Sequence, residues 1–146
     1  GQDAFLALLA NEALRFTPPI GAFGHLRDAR HLDIKRHGLT PIVGLARVLS
    51  IAAGARVPST TERLAAAARA GLLSDDGAVT LGEAYRFLLS LRLRAQLEAL
   101  AAHRAPPATM SASALRRVEV RHLKEAFRAI RDAQDALAMR FRTDRF

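Results

Sequence analysis

The segment from Thr80 to His103, TLGEAYRFLLSLRLRAQLEALAAH, reads as one long helix whose circumference is mostly apolar. Wound at about 3.6 residues per turn, Ala84, Phe87, Leu88, Leu91 and Ala95 cover one arc. Leu89, Leu93, Leu97 and Leu100 cover another, and Arg86, Ser90, Arg94 and Glu98 form the solvent stripe. A helix with so little polar face has to pack against partners on several sides. Arg92 and Gln96 break the pattern, because they fall with Tyr85 and Leu89 between the apolar arcs. A buried guanidinium without a partner is too costly to keep, so Arg92 calls for a partner or an anionic ligand.

A second long helix is expected from Ser111 or Ser113 to about Arg142. In it Leu123, Phe127, Ile130, Gln134, Leu137 and Phe141 recur at alternating spacings of four and three. Gln134 is the polar exception in that stripe, and Lys124, Arg128, Arg131 and Asp135 lie on the other side. Pro106-Pro107 separates the two long helices, so they should pack antiparallel. Three shorter helices are expected before them. Asp3 to Phe16 is the first, ended by Thr17-Pro18-Pro19. The second opens with Thr40 as N-cap and Pro41 at the first position, and closes at Gly54. The third starts from the capping box Ser59-Thr60-Thr61-Glu62 and closes at Gly71. Ser74-Asp75-Asp76-Gly77 reads as a turn, and Thr80 with Glu83 as the capping box of the long helix. Ile20 to Gly38, with three glycines, reads as a long loop in which His31 to Lys35 is extended. The expected fold is all-α: a bundle of about five helices with two long antiparallel helices at the C-terminal end.

Composition agrees with a helical reading. Half of the 146 residues are apolar, only 5% are aromatic, and alanine and leucine dominate. That length supports one domain with a real core, spanning 1–146. The opening Gly1-Gln2, with no initiator methionine, is expected of a fragment of a larger protein. Cysteine is absent, which excludes disulfides and thiolate chemistry. No apolar run approaches the ~20 residues of a membrane span, and no signal peptide is present, so a cytoplasmic location is expected. The net charge of +8 comes from twenty Arg and only two Lys. Such a bias reads as GC-rich coding as much as a basic surface, and no nucleic-acid reader motif or stacking aromatics accompany it. Nucleic-acid binding is therefore weakly supported.

No catalytic signature is present. The chain has no phosphate-cradling glycine loop, no nucleophile elbow and no pair of metal-spaced histidines. Candidate binding residues fall in three places. His31 to Ile42 carries Asp33, Lys35 and Arg36 just before the expected N-terminus of the second helix, whose free N–H groups and dipole suit an anion. The same residues also fit an exposed loop with local Asp33–Lys35 or Asp33–Arg36 pairing. Arg47 is the only charge on an otherwise apolar second helix. It reaches solvent along its stem, meets Asp33 or meets a ligand. Arg92, Gln96 and Gln134 form either an internal network that sets helix register or a ligand-facing wall.

These residues sit in recognisable blocks. They are Pro19-Ile20-Gly21-Ala22-Phe23-Gly24, Leu32-Asp33-Ile34-Lys35-Arg36-His37-Gly38, Pro41-Ile42-Val43 with Leu45-Ala46-Arg47, and Thr61-Glu62-Arg63-Leu64. Leu91-Arg92-Leu93-Arg94-Ala95-Gln96 and Leu123-Lys124-Glu125-Ala126-Phe127-Arg128 complete the set. In this order, from Phe5 to Phe141, they resemble the substrate-binding domain family of bacterial nucleotidyltransferases. The resemblance implies a non-catalytic C-terminal domain that follows a nucleotidyltransferase domain, often behind cyclic-nucleotide-binding and CBS modules, in signal transduction. It implies a partner catalytic domain in the same chain that uses a nucleoside triphosphate and Mg, with no cofactor in this domain. It singles out Asp33, Lys35, Arg47, Arg92, Arg94, Gln96 and Lys124 without fixing their individual roles. His37 stands where a small residue is common in the family. Gly44 stands where an acidic one is common, which removes a partner for the basic cluster. On this reading Asp33, Lys35, Arg36, Arg47, Arg92, Gln96, Lys124 and Gln134 bind substrate, an acidic or phosphorylated ligand. The rival reading is a regulatory interaction module, and the long apolar seam also offers a surface for self-association.

Overall fold

The computed structural model describes residues 1–141. Five α-helices carry the fold: α1 (Gln2–Ala13), α2 (Thr40–Ala52), α3 (Thr60–Arg69), α4 (Asp75–Ala101) and α5 (Arg117–Phe141). No β-strand is present among the described residues, and two isolated bridges, Ile20 with Leu26 and Leu32 with Met110, tie the loops. The all-α bundle expected from periodicity is the observed architecture.

The long helices α4 and α5 form the backbone of the bundle. Phe87 meets His122 edge to face at 5.7 Å, while Arg94, further along α4, binds Glu119 near the start of α5. Residue numbers rise on one helix as they fall on the other, so the pair is antiparallel. Leu88 and Leu91 from α4 are buried with Leu123, Phe127, Ile130 and Leu137 from α5, in agreement with the four-three spacing. Helix α2 lies between α1, α3 and α5 and buries Pro41, Ile42, Leu45, Ala46, Val48 and Leu49, as its apolar sequence requires.

Four boundaries differ from expectation, each for a local reason. Helix α1 stops at Ala13, three residues early. The side-chain amide of Gln134 donates to the carbonyls of Ala13 (3.2 Å) and Phe16 (2.9 Å), so this stretch of chain is held in place from α5. Thr40 is not an N-cap. The chain turns helical at Ile34, because the Asp33 carboxylate accepts the Arg36 N–H at 2.9 Å and the Asp33 carbonyl accepts that of His37 at 3.0 Å. A π-helical turn, Lys35–Leu39, then runs straight into α2, with the Thr40 N–H donating to the Lys35 carbonyl. Pro41 explains the widened turn: it has no N–H, and its ring would strike the carbonyl four residues back in a regular α-helix. Of the stretch expected to be extended, only Leu32 pairs, with Met110.

Helix α4 begins at Asp75, not Thr80. Ser74 accepts the Gly77 N–H at 2.9 Å, and Asp75 and Asp76 sit at the positive end of the helix dipole. Ser59 caps α3 through the Glu62 N–H at 3.1 Å, as expected, and Gly54 and Gly71 close α2 and α3 at φ of 71° and 76°. In place of a helix from Ser111 or Ser113, a short 3-10 turn (Ala112–Ala114) precedes α5. The second apolar arc of α4 is not covered: Leu89, Leu93, Leu97 and Leu100 are 40–71% exposed. No helix among the described residues is long and apolar enough to cross a membrane.

Candidate functional site

Two adjacent cavities open where the π-turn, α2 and α4 meet. The smaller, about 300 Å³, lies between the π-turn and the chain that follows α4. Asp33, Lys35, Arg92 and Gln96 line it, with Pro106, Pro107 and Thr109 as the far wall. The paired N–H and C=O groups of Leu32 and Met110 (2.8 and 2.9 Å) hold that wall in place. The larger, about 420 Å³, lies between α1, α2 and α4. Its apolar surface comes from Leu9, Phe16, Leu39, Val43 and Leu89, and its charges are Lys35, Arg47, Arg92 and Glu12. Lys35 and Arg92 belong to both cavities.

Three cations thus converge beside two carboxylates, Asp33 in the smaller cavity and Glu12 in the larger, without a direct ion pair to either. Among the described residues, the side chains of Lys35, Arg47 and Arg92 make no ion pair and no hydrogen bond. The two nearby carboxylates are already engaged: Glu12 with Arg15 at 3.4 Å, and Asp33 with the Arg36 backbone. Exposure lets Lys35 and Arg47 keep their charge at little cost, whereas Arg92 is half-buried. Arg36 lines neither cavity, but its guanidinium lies 5.4 Å from the centre of the Phe16 ring. Arg15 lies 5.2 Å from the same ring, and His37 meets its edge at 5.8 Å. Arg15 and Arg36 thus place positive charge against the Phe16 ring.

Five of the eight candidate residues, Asp33, Lys35, Arg47, Arg92 and Gln96, therefore share one groove. Three do not line it. Arg36 stands beside it on Phe16, Lys124 is half-buried on α5, and Gln134 belongs to the end of α1. The internal network of Arg92, Gln96 and Gln134, one of the two arrangements expected, does not include Gln134, which spends both N–H bonds on backbone carbonyls of the α1 end. The expected anion site on the free N–H groups that follow Thr40 and Pro41 is also corrected, because this stretch lies inside a continuous helix. At the true start of that helix the Asp33 carboxylate already takes the anion position. What the π-turn does supply is position: it sets Lys35 on the wall shared by both cavities. Gly44 serves packing, since a Cβ there would come 3.1 Å from Ala13 Cα and force α1 to give by a few tenths of an ångström.

One polar site went unnoticed in the helical periodicity. Arg94, assigned to solvent, donates to Glu119 Oε2 at 2.7 Å, and the Arg116 N–H donates to Oε1 at 3.0 Å. The Arg94 guanidinium, followed by the Arg116 N–H, pulls the Glu119 carboxyl down to about 2. The same bond raises the Arg94 pKa. The signal was the Arg116-x-x-Glu119 spacing, in which the third helical residue reaches back to the N-cap N–H. The pair clamps α4 to the start of α5 and is a structural feature. Among the described residues, no three His, Asp or Glu side chains converge to hold a metal.

No curated protein and no solved structure matches the chain significantly. A family model does match it, over residues 3–141, and the chain belongs to that family, described as "Putative nucleotidyltransferase substrate binding domain".

Proposed function

We propose that this domain holds an anionic substrate for a nucleotidyltransferase, closing one wall of a cleft whose other wall is a separate catalytic domain. The observation that carries this reading is the convergence of Lys35, Arg47 and Arg92 on one groove in which, among the described residues, none of the three makes an ion pair. Charged side chains held that way favour a phosphate or carboxylate, and Arg92 can present a planar fork to it. Gln96, one turn along from Arg92, adds an amide to the smaller cavity. The nucleoside triphosphate and Mg that such chemistry requires belong to the catalytic partner in this reading, which itself acts in the cytoplasm within a signalling protein. The chain's own contribution is binding and orientation.

The test is calorimetric titration of the domain with inorganic phosphate and with ATP, at matched ionic strength. Lys35→Ala and Arg92→Met should each keep the fold and lose affinity about tenfold, the loss of one charge-assisted contact. Arg92→Met should leave stability within about 0.5 kcal/mol, because no internal partner is orphaned. Wild-type protein that binds neither anion at millimolar concentration would remove the basis of the reading. The exposed leucines of α4 support a second reading, a regulatory module that docks through this face. In that case Leu93→Ser would abolish association with the catalytic domain while phosphate binding is absent.

A further inference from the structure

The groove has two chemistries, and inorganic phosphate satisfies only one of them. We infer that its ligand is an anion carried on an apolar, ring-sized body. The anion sits against Lys35 and Arg92, and the body lies in the trough between α1, α2 and α4. The inference rests on the anion-site reading above and names the class of substrate that the site takes.

Shape and lining carry the argument. The larger cavity, about 420 Å³, is within the size of small-molecule sites, which run upward from about 300 Å³. Leu9 and Ala13 from α1, Phe16 just beyond it, Leu39 and Val43 around the start of α2, and Leu89 from α4 line it. Leu89 remains 40% exposed, so apolar surface stands in water beside the charges. A bare inorganic anion would leave that surface wet, whereas a ring laid on it recovers hydrophobic free energy. The charges are arranged to match. Lys35, Arg47 and Arg92 face this cavity against one carboxylate, Glu12, which Arg15 approaches at 3.4 Å on the exposed side of α1. Phe16 is held by Arg15, Arg36 and His37, so the aromatic wall is set before a ligand arrives. Lys35 and Arg92 stand at the junction with the smaller cavity, where Gln96 and Thr109 offer hydrogen bonds to a polar extension of the same ligand.

The probes are phenyl phosphate and inorganic phosphate, titrated calorimetrically at matched ionic strength into the whole chain, with amide chemical shifts recorded alongside. Phenyl phosphate should bind about tenfold tighter than phosphate, the gain expected from partly burying one ring in an open trough. Leu89→Gln should erase that gain and leave phosphate affinity unchanged, while Arg92→Met should weaken both probes. Shifts should concentrate on Leu9, Val43 and Leu89. Equal affinity for the two probes overturns the inference and leaves the anion site standing. Binding of neither probe removes the anion site and the inference together. Tighter binding of phenyl phosphate with shifts away from Leu9, Val43 and Leu89 also overturns it, and that readout decides the matter if Leu89→Gln does not fold.

Discussion

Replacing Gln134 tests whether α5 holds the end of α1 as the geometry shows. Its side-chain amide is buried and donates to Ala13 O at 3.2 Å and Phe16 O at 2.9 Å, while Oε1 has no partner. Two carbonyl acceptors require the NH₂ end of the amide, so the orientation is set by chemistry. Gln134→Leu removes two bonds worth about 1 kcal/mol each. The Phe16 carbonyl is partly exposed and can rehydrate, but the Ala13 carbonyl is left dry at about 1–3 kcal/mol. Loss of the unpartnered Oε1 offsets a comparable amount. The net expectation is about 1–2 kcal/mol, or a Tm lower by about 3–6 °C for a chain of this size. Gln134→Glu is the sharper change. A carboxylate there would face two carbonyl oxygens in a buried site, with a cost of about 3–5 kcal/mol at neutral pH. Burial and the carbonyls raise its pKa in the folded state. The penalty is therefore present at pH 7 and is relieved as pH falls through that raised value, where the protonated acid can donate one bond. Thermal melts of wild type and both variants from pH 8 to pH 4 provide the assay. A Gln134→Glu protein as stable as wild type at pH 7 would refute the placement of Gln134 against α1.

Glu119 should govern part of the acid response. Its folded pKa, about 2, lies below the unfolded value of 4.5, so its contribution is complete above pH 4.5 and is lost as pH falls toward 2. Glu119→Gln should lower Tm at neutral pH and flatten the decline between those limits, and parallel curves for the two proteins would remove Glu119 from the account. Leu123→Ala, at a site with no exposure, should cost about 2–5 kcal/mol in denaturant unfolding. Leu97→Ala, at 55% exposure, should cost under about 1 kcal/mol, and equal losses would contradict the assigned faces. The chain alone should not turn over labelled nucleotide with magnesium, and turnover above a metal-free control would overturn the accessory reading.

The sequence alone determined the helices and the faces that pair them. The four-three seam through Leu123, Phe127, Ile130 and Leu137 states a buried stripe without reference to any neighbour, because a helix repeats its side chains at a fixed angle. Ser59, Gly54 and Gly71 were legible as caps because their effects are local. Whether an apolar arc is covered depends on a partner, and so Leu88 is buried while Leu89, its neighbour, is not. Local signals also compete: Ser74 and Thr80 both qualify as caps, and Pro41 reads as a first residue until Asp33 and the π-turn start the helix seven residues earlier. Conflict between equally good local choices is resolved by the rest of the fold.

The groove shows the same division. Asp33, Lys35, Arg47, Arg92 and Gln96 were recognisable as charges and amides in unusual places, but their spacing carries no information on which of them meet. Three elements from distant parts of the chain had to pack before Lys35 and Arg92 shared a wall. Gln134, equally conspicuous in its stripe, was drawn instead to the carbonyls of α1, because a buried amide goes to the nearest unsatisfied backbone and only tertiary packing decides where that lies.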